Sequence, residues 1–214
     1  MSQYNLGRIF KPRRVAVVGA SESPGSIGNA LMKNLIEGGF QGKLLPVNPK
    51  YHTVHGISAV GSVSALDADV DLAVIATPIH TVPEIVRACV EKKIAGAIVI
   101  SAGGKEVGEK GREIEERIRA TAHAGWLRIV GPNCMGIIRP GANLNASFAS
   151  EMPATGKLAF VSQSGANCSA ILDMAVKARL GVSHVVSIGS MQDVDFGDPS
   201  EYLGNESSAK SNLM

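Results

Sequence analysis

The amino-acid sequence predicts an α/β protein built on a parallel sheet. Three observations carry that prediction. Short apolar runs at residues 14–19, 71–76 and 97–101 end in turn-forming or small residues and read as strands buried on both faces. Segments with apolar residues at helical spacing lie between them, and this alternation implies right-handed βαβ crossovers. A Gly/Ser/Pro turn over residues 19–28 joins the first strand to the first helix, as in a Rossmann-like sheet.

The elements follow in order. After the first strand, Ile27, Ala30, Leu31 and Leu35 share one helical face, and Gly38-Gly39 ends the helix. Residues 43–47 form a second short strand, weakened by Pro46. Residues 71–76 form a third. Val82, Ile85, Val86, Cys89 and Val90 then give a helical stripe, with Pro83 and Glu84 suiting its first turn. Residues 97–101 are the fourth strand. A charged helix over roughly 109–124 turns Ile114 and Ile118 inward, and residues 127–130 are the fifth strand, closed by Gly131-Pro132-Asn133.

The first unit therefore covers residues 8–140. Residues 139–143, Arg-Pro-Gly-Ala-Asn, have the composition of a linker. A second unit, residues 150–214, begins with a strand at 158–161, a turn at 162–165 and a helix with Ile171, Met174, Ala175 and Ala178 on one face. A strand at 182–188, an acidic loop and a polar end follow. Two clear strands fall short of the roughly five or six of a doubly wound sheet. The second unit is expected to be incomplete, and the chain to be a fragment or truncated product of something longer.

Composition narrows the function. The chain has 214 residues, 45% of them hydrophobic, so a sizeable core is expected. Lysine and arginine number 21 against 19 acidic residues, and the net charge of +2 argues against nucleic-acid binding by the whole surface. An anion site has to be local. Aromatics at 4% with 24 glycines suit a nucleotide-binding turn better than a base-stacking module. Three cysteines without a C-x-x-C argue for a reducing, cytoplasmic setting. Residues 1–6 lack signal-peptide character, and no apolar run approaches the ~18 residues of a membrane span.

The turn over residues 19–28 is the first candidate site. A helix N-terminus presents unpaired N–H groups and partial positive charge, and glycines let a phosphate approach the backbone. The pattern Gly19-Ala20-Ser21, Pro24-Gly25, Gly28 is longer than G-x-G-x-x-G. At the end of the second strand, where an NAD site holds its ribose with a carboxylate, stand Asn48-Pro49-Lys50. A cation there argues for a ribose bearing an extra phosphate, as in NADP or coenzyme A. Thr77-Pro78, Ser101-Ala102-Gly103 and Asn133 follow later strand ends, where open sheets bind ligands. Ser162, Ser164 and Gly165 open another helix and offer a second phosphate site, since the run is not a G-x-S-x-G elbow. Asp193, Asp195 and Asp198 lack metal-loop spacing, His52 and His55 lack a third ligand, and Cys134 reads as a buried small residue.

These residues together resemble the N-terminal, CoA-binding part of the NDP-forming acyl-CoA synthetases, the ADP-forming acetate–CoA ligases, related to the succinyl-CoA synthetase alpha subunit. The matching stretches are residues 17–21, 25–29, 46–51, 71–78, 101–104, 131–136 and 160–165, in order. The resemblance implies a Rossmann-like CoA-binding domain followed by part of a flavodoxin-like domain. It implies that Gly19, Ala20, Ser21, Gly25, Ile27 and Gly28 contact the phosphates of CoA, with Lys50 at the 3′-phosphate end and Asn48 also in the CoA site. Thr77, Pro78, Ser101, Ala102 and Gly103 would flank the nucleotide, and Asn133 would lie towards the thiol.

Ser162, Ser164 and Gly165 would face the phosphate of a phosphohistidine. None of His52, His55, His80, His123 and His184 matches that histidine, so no catalytic residue is expected in this chain. ATP or ADP and magnesium would belong to an ATP-grasp domain or subunit, and a homo- or hetero-oligomer is implied. Two other readings compete. An NADP-dependent oxidoreductase shares the glycine turn and Lys50 but lacks a clear general acid. A non-catalytic, regulatory CoA-binding protein shares the whole site.

Overall fold

The computed structural model describes residues 4–214. Helix α1 (Leu6–Phe10) leads into strand β1 (Arg14–Val18), helix α2 (Ile27–Glu37) and strand β2 (Lys43–Val47). A small hairpin of β3 (Thr53–Val54) and β4 (Ile57–Ser58) comes next. Then follow β5 (Leu72–Ile75), α3 (Val82–Glu91), β6 (Gly96–Val99), α4 (Glu109–Ala124) and β7 (Arg128–Val130). The remaining elements are β8 (Gly136–Arg139), β9 (Leu144–Ser147), β10 (Thr155–Ser162), α5 (Gly165–Lys177), β11 (Val182–Ser187), α6 (Gly197–Gly204) and β12 (Ser211–Leu213).

The first sheet is all parallel, in the order β2-β1-β5-β6-β7. Pro46 fits because β2 is an edge strand, where a missing N–H costs the ladder little. Side chains alternate along each strand. Ala16 and Val18 of β1 join Ala73, Ile75 and Val99 under α3 and α4, with Val86, Cys89 and Ile118 closing that layer. Val15 and Val17 face the other way, with Leu72, Val74 and Ile98. Both edges are covered by backbone. Val60 donates to Pro46 O at 3.1 Å and accepts from Asn48 at 2.9 Å. On the far edge, Val194 and Gln192 donate to Ile129 O and Gly131 O, both at 3.0 Å.

The second sheet runs β12-β10-β11-β8-β9, with β10, β11 and β12 parallel and β8 and β9 antiparallel. The expected linker at residues 139–143 is the turn of the β8–β9 hairpin, formed by a 3₁₀ turn at Pro140–Ala142 and left-handed Asn143. The hairpin brings the second sheet to five strands. The sheet also shares a core with the first. Ile137, Leu144, Ala159, Val161 and Val186 pack in the same cluster as Val15, Leu31, Leu35 and Val74. Helices α1, α2 and α6 lie between the two sheets. Helix α5 covers the outer face through Cys168, Leu172 and Ala175. Met174, expected on that face, is 51% exposed. The buried stripe is Cys168, Leu172 and Ala175, spaced i, i+4 and i+7, which turns Met174 outward.

Polar contacts fix this packing. Asn34 of α2 donates to Ser147 O and Ala149 O at 2.8 and 2.7 Å. Arg128 pairs with Asp193 and with buried Asp198, each at 2.9 Å, so two of the three loop aspartates serve an ion pair. No group of three metal-ligating side chains occurs among the described residues. No helix there is long and apolar enough to cross a membrane.

His184 is fully buried on β11, edge-on to Phe10 and Tyr202, and neither ring nitrogen has a hydrogen-bond partner among the described residues. Burial, aided by the nearby charges of Arg139 and Lys11 and opposed by Glu206, pushes its pKa down from 6.5 to about 4. Between those values the unfolded chain takes up a proton that the folded chain refuses. Stability is therefore fully present above pH 6.5 and falls as the pH drops towards 4, by on the order of 3 kcal/mol in total. Urea unfolding from pH 7.5 to 4.5 checks this: His184→Phe, which fits the aromatic slot, should flatten the slope in that window.

Candidate ligand-binding cleft

The C-terminal ends of β1, β2 and β5 open into a cleft of about 1020 Å³. Its floor rests on one close approach. Gly19 ends β1 with φ +91° and donates to Val47 O at 2.9 Å. A Cβ on Gly28, in the first turn of α2, would lie 1.9 Å from Gly19 O. Glycine at 28 is what lets the helix start directly against the strand end. Ser26 caps the helix, accepting from Asn29 N at 3.2 Å while donating to Ser23 O at 2.8 Å. Ser21, nearly buried, accepts from Ser23 N at 2.9 Å.

Six expected site residues line the cleft together: Gly19, Ser21, Asn48, Lys50, Thr77 and Pro78. Ala20 is fully buried and offers its carbonyl to the Asn48 amide at 2.7 Å. The other end of that side chain accepts from Lys50 N at 2.9 Å, so Asn48 ties the glycine turn to the lysine. Lys50 is exposed at the cleft and has no ion-pair partner among the described residues. The other cation there, Arg87, is paired with Glu84.

The remaining expected residues lie elsewhere. Gly25 and Ile27 border a shallower groove beside Phe148 and Ser150, and Gly28 is buried in the strand–helix contact. Ser101 is buried and donates to Thr77 O at 2.6 Å, while its own carbonyl accepts from Asn133 N at 3.0 Å. It supports the cleft from behind. Ala102 and Gly103 follow outside the lining. Ser162, Ser164 and Gly165 form the β10–α5 turn. There Ser164 caps α5 through Asn167 N at 3.2 Å, and Ser162 accepts from Ser164 N at 3.2 Å. Cys134 is buried, which pushes its thiol up to about 12.

Sequence reasoning left out Tyr51, Ser23, Thr81 and the segment Ser62–Ser64, all of which line the cleft. Tyr51 hydrogen-bonds the hydroxyls of Ser23 and Ser21, which holds its phenol below the usual value of 10. Its position beside Pro49-Lys50 was the available signal. Among the histidines, His55 contacts the loop through Glu22 and Asn29.

A model described as "CoA binding domain" matches residues 13–140, and one described as "Succinyl-CoA ligase like flavodoxin domain" matches residues 155–214. Acetate–CoA ligase [ADP-forming] of Methanocaldococcus jannaschii is 43% identical over 97% of this chain and 29% of its own length. Acetate–CoA ligase [ADP-forming] II subunit alpha of Pyrococcus furiosus is 41% identical over 94% of this chain and 43% of its own. The solved dinucleotide-forming acetyl-coenzyme A synthetase 1 of Ca. Korarchaeum cryptofilum superposes with a TM-score of 0.93 at 36% identity, covering 97% of this chain and 45% of that one. This chain thus spans less than half the length of these relatives.

The glycine contact gives a direct test. Gly28→Ala should cost at least about 3 kcal/mol, because the obstructing atom is backbone. Gly25→Ala, with φ +77° but open space around it, should cost only about 1 kcal/mol. Urea denaturation of the two variants measures the difference.

Proposed function

The chain belongs to the CoA-binding domain family, in the form carried by ADP-forming acetate–CoA ligases, and from that premise we propose that its cleft holds coenzyme A within an ADP-forming acyl-CoA synthetase. The observation that carries the reading is Lys50, an unpaired cation at the end of β2 where an NAD site would present a carboxylate. The residues fit the ligand. The cleft is at the upper end of the range for small-molecule sites. Gly19, Ser21 and the start of α2 offer backbone and hydroxyl donors for a diphosphate, and Lys50 meets the ribose 3′-phosphate.

Asn48 orients Lys50 rather than spending its amide on the ligand. Thr77 and Pro78 flank the nucleotide, backed by Ser101, Ala102 and Gly103, and Asn133 lies towards the thiol end. Coenzyme A supplies the thiol that is acylated in the reaction acyl-CoA + ADP + phosphate ⇌ carboxylic acid + CoA + ATP. This chain binds and orients it. The N-terminus of α5, with Ser162, Ser164 and Gly165, serves as a docking point for a phosphoryl group carried elsewhere in the enzyme. An ATP-grasp domain or subunit would supply the nucleotide chemistry. Relatives named alpha subunits support assembly with a second chain.

Calorimetry with CoA, dephospho-CoA and NADPH tests the reading. CoA should bind, dephospho-CoA should bind more weakly, and NADPH should not compete. Lys50→Ala should weaken CoA by about 1–3 kcal/mol, the scale of a charge-assisted contact, and leave dephospho-CoA unchanged. Equal affinity of the wild type for CoA and dephospho-CoA would remove Lys50 from the 3′-phosphate. Binding of neither would end the CoA reading.

A further inference from the structure

The β3–β4 hairpin ends in a two-residue turn, with Val54 paired to Ile57 across it. His55 and Gly56 both have positive φ, +49° and +74°, the signature of a type I′ turn. Asn, Asp or Gly suits the first of these positions best, so histidine is a poor local choice. Its contacts lie outside the hairpin. The imidazole Nε2 sits 2.9 Å from Asn29 Oδ1, in the first turn of α2. With a carbonyl-type acceptor there, Nε2 carries the proton. The His55 backbone N–H donates to the Glu22 carboxylate. Val54 is fully buried, so the hairpin is anchored from below.

Glu22 and Asn29 bracket the glycine–serine loop. Asn29 also donates its N–H to the Ser26 cap. Ser21, Ser23 and Ser26 face the cleft and Glu22 does not. A carboxylate in this loop would repel a diphosphate if it swung inward. We propose that His55 is a positioning residue: its imidazole pins Asn29 and with it the Ser26 cap at the start of α2, while its backbone N–H holds Glu22 turned away, and the imidazole bond sets the affinity of the cleft for its diphosphate ligand. This rests on the reading that the cleft takes coenzyme A.

The test uses His55→Gly and His55→Asn in the full chain. Both residues suit the left-handed turn, and neither reaches Asn29 as the imidazole does. Three measurements are made: CoA affinity by calorimetry, amide deuterium uptake over residues 21–27 without ligand, and the thermal unfolding midpoint. The expected result is CoA binding about three- to ten-fold weaker, the scale of one hydrogen bond, with faster exchange in the loop and a midpoint equal to or above wild type. Wild-type affinity together with wild-type loop exchange overturns the proposal, as does a loss of affinity that tracks a fall in the midpoint. If wild-type protein fails to bind CoA, the CoA reading fails separately. Loop exchange then decides the positioning role: faster exchange in the variants upholds it, and unchanged exchange refutes it.

Discussion

The approach of Gly28 to the carbonyl of Gly19 is the constraint on which the site depends. Any side chain at 28 would overlap that oxygen, so the distance between strand end and helix start is set by backbone against backbone. That contact fixes where α2 begins relative to the end of β1. It also holds α2 close enough to the sheet for its other face to reach the second sheet, where Asn34 bonds one carbonyl at the end of β9 and one just beyond it. One small residue thus serves the ligand site and the joint between the sheets at once. A swap there trades both away, since packed backbone has no rotamer to relax into.

The parallel sheet and its helices were legible because each strand is a short apolar run and each helix has an amphipathic stripe. The bounds of the helix at Glu109–Ala124 are legible because glycines, Gly108 and Gly125, stand at both ends. The hairpin of β8 and β9 was not legible. Pro140-Gly141 has the same local chemistry whether it closes a hairpin or links two domains, and what distinguishes them is the pairing of Ile137 and Ile138 with β11, far along the chain. With that pairing missing, the second unit looked too poor in strands to stand. In the fold it does not stand alone, because its inner face is buried on the layer of α1 and α2.

The candidate site divides in the same way. Gly19, Lys50 and Thr77 are legible because each is the residue type a ligand needs, placed just after a strand. Tyr51 and His55 are not, since their roles come from hydrogen bonds to Ser21, Ser23 and Asn29, across a loop whose path the sequence does not dictate. Asn48 was legible as a position but not as a role. Its amide is consumed by Ala20 O and Lys50 N–H, which makes it a brace for the cation.

The polar residues at the later strand ends acquire a shared meaning from this. Thr77 O accepts from Ser101, Ser101 O accepts from Asn133, and Pro132 O accepts from Ser190 at 2.8 Å. Met135 N–H is taken by Ser187 at 3.0 Å, and Gly165 packs beside Met135. Hydrogen bonds thus tie the wall of the cleft to the loop after β7 and to the end of β11, and the contact of Met135 with Gly165 reaches the start of α5. Each bond alone is worth about 1 kcal/mol, too little to define a geometry. Together they leave the strand ends little freedom, and the buried donors, Ser101 and Met135, would be stranded without water if they let go. The cleft and the second helix N-terminus are in this way held on one frame.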